Sequence, residues 1–160
     1  MKVKTKIALG ALGAAAAVNC VRAAVHTPEN KTAAKLPPEN CDADLAVKHI
    51  SQAITYKTVS YPDPEEMDWA EFERFHAFLD DAYPLVAANL EKEIVDRASL
   101  LYRWKGTDST LDPIALLAHQ DVVPISKGTE QDWEHEPFSG DVDDGYIWGR
   151  GAMDMKNHLI

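Results

Sequence analysis

The spacing of apolar residues in the first half of the chain predicts two amphipathic helices. Leu45, Ile50, Ala53 and Ile54 recur at near-helical intervals, which predicts a first helix over residues 45–56. A loop with two prolines follows. The chain therefore opens its ordered part with helical structure.

The second predicted helix begins at Asp68 and ends near Pro84. Asp68 as N-cap and Glu71 three residues later match the capping-box pattern, in which each side chain accepts a hydrogen bond from a backbone amide of the first turn. Apolar side chains line one face of this helix, and we interpret them as core rather than as a cofactor site. They are Trp69, Phe72, Phe75, Phe78 and Leu79.

The second half of the chain predicts strands mixed with helix. Residues 99–104 alternate weakly, and residues 146–148 follow an Asp-Gly hairpin turn. Residues 114–118 are continuously apolar, which predicts a strand buried on both faces. A Gly-rich bend over 149–152 leads into a predicted helix over 153–160. This order predicts an α/β domain with a mixed β-sheet flanked by helices.

The N-terminus has the pattern of a targeting segment. Three lysines lie within the first six residues, residues 7–18 are apolar, and small residues at Ala23 and Ala24 offer a cleavage site. An apolar run of this length is shorter than the roughly 20 residues needed to cross a bilayer. We therefore expect a cleaved signal peptide, with an uncleaved anchor as the alternative.

These patterns predict three parts of the chain. Residues 1–24 form the signal peptide or anchor, residues 25–43 a polar spacer, and residues 44–160 the folded domain. The expected location is secreted or periplasmic. If the segment is not cleaved, the protein is membrane-anchored and faces outside the cytoplasm.

Charge restricts the class of partner. The 160 residues carry a net charge of −10, and residues 25–160 retain 12 basic residues against all 26 acidic ones, a net charge of −14. Such a field repels nucleic acid and anionic membrane surfaces. The two cysteines, Cys20 and Cys41, have neither zinc-site spacing nor the number needed for a disulfide framework. A protein that binds small substrates or cations fits this composition.

Two short segments contain candidate chemistry. His119 and Asp121 end the predicted buried strand, where residues i and i+2 point to the same side. Histidine is the usual imidazole ligand of zinc, and a carboxylate can hold its other ring nitrogen. Taken alone, this triplet is more typical of a structural hydrogen-bonded pair. Asp154 follows the Gly149–Gly151 bend. Considered by itself, this segment favours a strand-to-helix turn in which Asp154 caps the following helix.

Several motifs in this order resemble one family. They are LAHQDVVP (117–124), Trp133, PFSG (137–140), DGYIWGRG (144–151) and DMK (154–156). Together they resemble the dinuclear-zinc peptidases and aminoacylases, which include acetylornithine deacetylase, succinyl-diaminopimelate desuccinylase and carboxypeptidase S. The similarity is greatest to the carboxypeptidase S branch with its N-acyl-amino-acid hydrolases. It covers residues 44–160.

The resemblance implies a role for each matching residue. His119 would be a ligand of one zinc ion, and Asp154 would bridge two zinc ions. Asp121 would be the catalytic aspartate that orients His119. The resemblance also implies a cis peptide between Asp154 and Met155. Cobalt or manganese are possible substitutes for the two zinc ions.

The resemblance implies hydrolysis of a peptide or N-acyl-amino-acid amide bond by a metal-activated water. In such enzymes a glutamate after the bridging aspartate is the general base, so residues 1–160 are expected to be an incomplete and inactive part. A homodimer would form through a further domain. The alternatives are a non-catalytic binding module that retains the scaffold, and the reverse reaction that condenses fatty acids with amino acids.

The remaining candidates are expected to have no catalytic role. His158 could share a helical face with Asp154, but the family does not use this position as a ligand. His49, His76 and His135 are expected to be structural or exposed. The acidic pair of residues 65 and 66 is interpreted as a solvated loop.

Overall fold

Helix α1 (Ala43–Thr55) begins as the apolar spacing predicts. In the computed structural model, which describes residues 16–23, 25 and 42–160, the side chain of Asp42 accepts a hydrogen bond from the amide of Leu45 at 3.0 Å. This N-cap bond satisfies one of the free amides of the first turn. The predicted first helix is confirmed, with its N-terminus two residues earlier.

Helix α2 (Trp69–Ala82) also starts where expected, but the predicted capping box is wrong. Asp68 occupies the N-cap without a side-chain bond to the helix. Glu71 instead accepts a hydrogen bond from the amide of Lys57 at 2.9 Å and pairs with Arg74. The capping box does not form because the Glu71 carboxylate, which would accept the amide of Asp68, is bonded to Lys57 and Arg74 instead.

The aromatic face of α2 forms the core, as predicted. Phe75 is fully buried, and Phe78 and Leu79 are nearly so, packed against Ala53 of α1. Tyr56 stacks on Phe78 with a ring-centroid distance of 5.4 Å. Burial of such side chains contributes roughly 1.5–3 kcal/mol each, so this cluster is a major source of stability.

A β-hairpin follows the helices. The sequence predicted only the second of its two strands. After α3 (Pro84–Asn89), strand β1 (Glu91–Val95) pairs antiparallel with β2 (Ser99–Arg103), with Glu91 opposite Arg103. Strand β2 is confirmed. Strand β1 was not predicted because its first three residues are charged, which hides the strand pattern.

The second hairpin is confirmed. Strands β3 (Val142–Asp143) and β4 (Tyr146–Ile147) pair antiparallel around Asp144 and Gly145. Both turn residues have positive φ, 46° and 80°, as a type I′ turn requires.

The predicted strand over residues 114–118 is wrong. This segment pairs with no other strand among the described residues, and Ile114, Leu116 and Leu117 are 88%, 91% and 88% exposed. An apolar run forms a buried strand only when neighbouring strands complete its hydrogen bonds and layers cover its faces. The described residues supply neither.

The predicted α/β class is confirmed, since the described residues combine helices with two small antiparallel sheets. One parallel bridge joins Val59 to Val122. The helix expected over 153–160 is shorter than predicted: α4 is Lys156–Leu159, preceded by turns.

The chain divides into two units, Met1–Asn40 and Cys41–Ile160. In the first, residues 16–23 and 25 are helical and exposed. Most of the predicted signal peptide and spacer falls on residues 1–15, 24 and 26–41, outside the described residues. None of the helices in the described ranges is both long and apolar enough to cross a membrane.

Candidate metal centre

The segment that carries His119 and Asp121 is held by backbone bonds to the residues after α1. The amide of Val122 donates to the Thr58 carbonyl, and the Val122 carbonyl accepts from the amide of Ser60, both at 2.9 Å. These bonds form a short parallel bridge. The chain direction at His119 is therefore fixed relative to the end of α1.

Gln120 points away from its two neighbours and into the protein. Its side-chain oxygen lies 2.8 Å from Nε2 of the buried His76, and its amide nitrogen donates to the Ala98 carbonyl. The Gln120 carbonyl accepts from the hydroxyl of the buried Thr58 at 2.6 Å. Alternation along an extended chain then directs His119 and Asp121 to the opposite side.

The bend that carries Asp154 depends on close approach at two glycines. Gly149 has φ 144°, and a Cβ there would collide with the side chain of Ile54. Gly151 has φ 87°, and a Cβ would lie 2.6 Å from Val122 Cγ1. Any larger residue would push the bend away from α1 and Val122. The peptide bond between Asp154 and Met155 is cis, in agreement with the expectation.

Lys156 fastens the same bend to the C-terminal end of α1. It is fully buried, and its ammonium donates to the carbonyls of Ala53 at 2.8 Å and Tyr56 at 2.7 Å. The ammonium also lies 4.9 Å from the centroid of the Phe75 ring. Burial lowers the pKa of Lys156 to about 8, and the charge of Glu71 partly opposes that shift.

His119 and Asp154 meet at the surface. Nε2 of His119 lies 2.8 Å from Oδ1 of Asp154, although 35 residues separate them in the chain. On the other side of the ring, Nδ1 lies 2.9 Å from the Asp121 carbonyl and 3.2 Å from its carboxylate. The Asp154 side chain is 90% exposed, so the free side of this pair faces solvent. The three predicted site residues thus come together.

The hydrogen bond to Asp154 raises the pKa of His119. The Asp121 carbonyl and the charges of both carboxylates act in the same direction, and partial desolvation opposes them. Because a histidine binds metal only when deprotonated, protons compete with metal at this ring.

The donor chemistry fits a zinc ligand pair. An imidazole and a carboxylate converge, and a second carboxylate holds the remaining ring nitrogen, the arrangement that orients histidines at zinc sites. Within the described residues no group of three or more His, Cys, Asp or Glu side chains could hold a metal ion. His119 and Asp154 offer two donor groups, an imidazole nitrogen and a carboxylate oxygen.

The other histidines are structural or exposed, and His76 contacts Gln120 rather than His119 or Asp154. His49 is buried with its Nδ1 3.2 Å from the Tyr83 hydroxyl, and His135 pairs with Asp141. His158 is exposed on α4. Glu66 ends an exposed 3₁₀ turn.

Two supporting residues were missed from the sequence. Lys156 stands in the DMK motif and Gln120 between the two site residues, so their positions were the only available signal. Neither their burial nor their distant hydrogen-bond partners follow from spacing.

Comparisons with known proteins show which family this chain resembles. Residues 115–160 match the model of peptidase family M20/M25/M40. Probable carboxypeptidase S-like 2 of Dictyostelium discoideum is 44% identical over 121 residues, which cover 74% of this chain and 23% of that protein. Carboxypeptidase S of Saccharomyces cerevisiae is 37% identical over 122 residues, covering 72% of this chain and 21% of that protein.

A third relative is an acyl-amino-acid enzyme. The N-fatty-acyl-amino acid synthase/hydrolase PM20D1 of Mus musculus is 35% identical over 136 residues, covering 82% of this chain and 26% of that protein. The chain spans about a quarter of the length of these relatives.

These matches define a class: the chain belongs to the M20 family of peptidases. Within that family it belongs to the branch that contains carboxypeptidase S and the acyl-amino-acid hydrolases.

Proposed function

We propose that the whole protein is a zinc-dependent hydrolase of peptide or N-acyl-amino-acid amide bonds. The observation that carries the proposal is the 2.8 Å contact of His119 Nε2 with Asp154 Oδ1, with Asp121 against the other ring nitrogen. The relatives, carboxypeptidases and an acyl-amino-acid synthase/hydrolase, support this reaction class.

Each site residue has a distinct task in this proposal. His119 would hold one zinc ion through Nε2, and Asp154 would hold both zinc ions through its carboxylate. Asp121 holds the Nδ1 proton of His119, which fixes the tautomer and the ring orientation that leave Nε2 free to bind. When bound, zinc polarises the amide carbonyl and lowers the pKa of a water.

The described residues alone do not complete such a site. Two ligands do not hold zinc in a catalytic geometry, for which three protein ligands are the norm. We therefore propose that residues 1–160 bind metal weakly on their own and hydrolyse no amide substrate. The net charge and the N-terminal pattern support export from the cytoplasm.

The test is the metal content and amidase activity of the protein expressed from its complete gene. The wild type is expected to hold near two zinc ions per chain and to release amino acid from peptide and N-acyl-amino-acid substrates. The double variant His119→Ala, Asp154→Ala is expected to lose both properties. His158→Ala is the matched control, because this exposed histidine lies close in the chain to Asp154 but outside the proposed site.

A well-folded wild-type protein without metal would overturn the proposal. The scaffold would then be that of a binding module. If metal and hydrolysis are both present, incubation of free amino acid with fatty acid under the same conditions shows whether condensation also occurs.

A further inference from the structure

Both halves of the proposed metal site are attached to one short stretch, residues 53–60. The His119 segment is bonded to Thr58 and Ser60 through Val122. The Asp154 bend is bonded to Ala53 and Tyr56 through Lys156. We call residues 53–60 the anchor stretch.

Lys156 supplies what α1 lacks in its own sequence. The last turn of α1 contains no basic residue. Carbonyls at the C-terminal end of a helix have no partner within the helix and carry the negative end of its dipole, so a cation is favourable there. The ammonium of Lys156, about a hundred residues later in the chain, fills this position.

Two carbonyl oxygens and one aromatic ring contact the ammonium. Two of its three protons reach carbonyl oxygens, and the Phe75 ring lies beside the group. The amide of Lys156 also donates to the Gly151 carbonyl at 3.0 Å, which closes the bend around Asp154. Lys156 therefore holds the bend around Asp154 in two ways. Its amide bonds to Gly151, and its ammonium bonds to Ala53 and Tyr56.

From this geometry we infer that Lys156 is a positioning residue that holds Asp154 against His119 by tying its bend to the carbonyls of Ala53 and Tyr56. The inference rests on the proposed function, since it assigns Lys156 a role in metal binding. Asp154 itself is exposed and has no other described side-chain partner than His119. Its location therefore depends on the backbone of the bend.

The experiment compares metal affinity among variants of the protein expressed from its complete gene. Lys156→Met keeps the length and the apolar stem but removes the donors. We expect its dissociation constant for zinc to be 10–100 times that of the wild type, the range found when residues that orient ligands are lost. The visible absorption of bound cobalt, which reports ligand geometry, is expected to change as well.

A stability control separates positioning from general weakening of the fold. Asp42→Ala removes the N-cap bond at the opposite end of α1 from the bend and is expected to lower the free energy of unfolding while the dissociation constant stays within twofold of the wild type. Should Lys156→Met fail to fold, Lys156→Cys alkylated with 2-bromoethylamine while unfolded, then refolded, restores an ammonium at lysine length. Wild type treated identically is the reference, and restored affinity supports the inference.

The outcomes separate the inference from the function it rests on. No metal in the wild type overturns both. Normal wild-type binding with unchanged affinity and cobalt spectrum in Lys156→Met overturns the role of Lys156 alone. An equal loss of affinity in Asp42→Ala also overturns it, because the effect would then follow from stability.

Discussion

Nε2 of His76 lies 2.8 Å from the side-chain oxygen of Gln120, the residue between His119 and Asp121. His76 is buried in α2, so this contact joins the helical core to the candidate metal centre. A residue that faces the core thereby fixes the two that face solvent.

Replacement of Gln120 tests this connection. Gln120→Met removes the bonds to His76 and Ala98 and leaves buried polar groups without partners. The free energy of unfolding is expected to fall by about 2 kcal/mol. Urea unfolding followed by tryptophan fluorescence measures it. Gln52→Met, on the exposed face of α1, is the control and should change stability by less than about 0.5 kcal/mol.

The two helix N-caps differ in a measurable way. Asp42→Ala removes a side-chain cap and is expected to cost about 1 kcal/mol. Asp68→Ala removes no such bond and is expected to cost clearly less. Thermal or urea unfolding of both variants gives the comparison. Equal losses would show that Asp68 forms a cap in solution.

Gly151 and Gly128 form a matched pair because both have φ 87°. Alanine is strained at either position, but only at Gly151 does the added Cβ meet Val122 at 2.6 Å. Gly151→Ala is therefore expected to destabilise the protein by about 1–3 kcal/mol more than Gly128→Ala. It should also weaken zinc binding, which calorimetry on both variants would measure.

Tyr83 is expected to make the free energy of unfolding depend on pH in the alkaline range. Burial raises its pKa above the ordinary value of 10.0, and its hydroxyl donates to the Ile160 backbone oxygen at 3.0 Å. Because the folded-state pKa is the higher one, the folded state retains the proton longer. Its stabilising contribution is complete below pH 10 and is lost as pH rises through the folded-state pKa.

Unfolding free energies between about pH 9 and 12 check this sign. The wild type is expected to lose stability more steeply than Tyr83→Phe over this range. Tyr146→Phe, which changes an exposed tyrosine, should follow the wild type. Parallel curves for the wild type and Tyr83→Phe would contradict the assignment.

Local signals in the sequence predicted the elements that local interactions determine. The helix that begins after Asp42 and the turn at Asp144 and Gly145 depend on residues within a few positions of each other. The capping box at Asp68 failed because Lys57, a distant residue, bonds to Glu71. Competition for a side chain by a residue far away in the chain cannot be predicted from residue spacing.

The resemblance of the motifs predicted the three residues of the candidate site. It did not predict the residues that hold them in place. His119, Asp121 and Asp154 stand in the matching motifs, and the structure brings them together. The attachment of Lys156 to Ala53 spans 103 residues and uses backbone carbonyls, which every residue possesses. No property of the side chain at residue 53 could have indicated it.

The fit of Gly149 against Ile54 and of Gly151 against Val122 limits how this protein can be recombined with its relatives. A chimaera whose junction falls between the anchor stretch and His119 would combine a bend from one parent with a helix end from another. A junction before α1 takes the helix end, Val122 and the bend from the same parent, so that their contacting surfaces still fit. The natural unit of exchange therefore runs from α1 through the Asp154 bend.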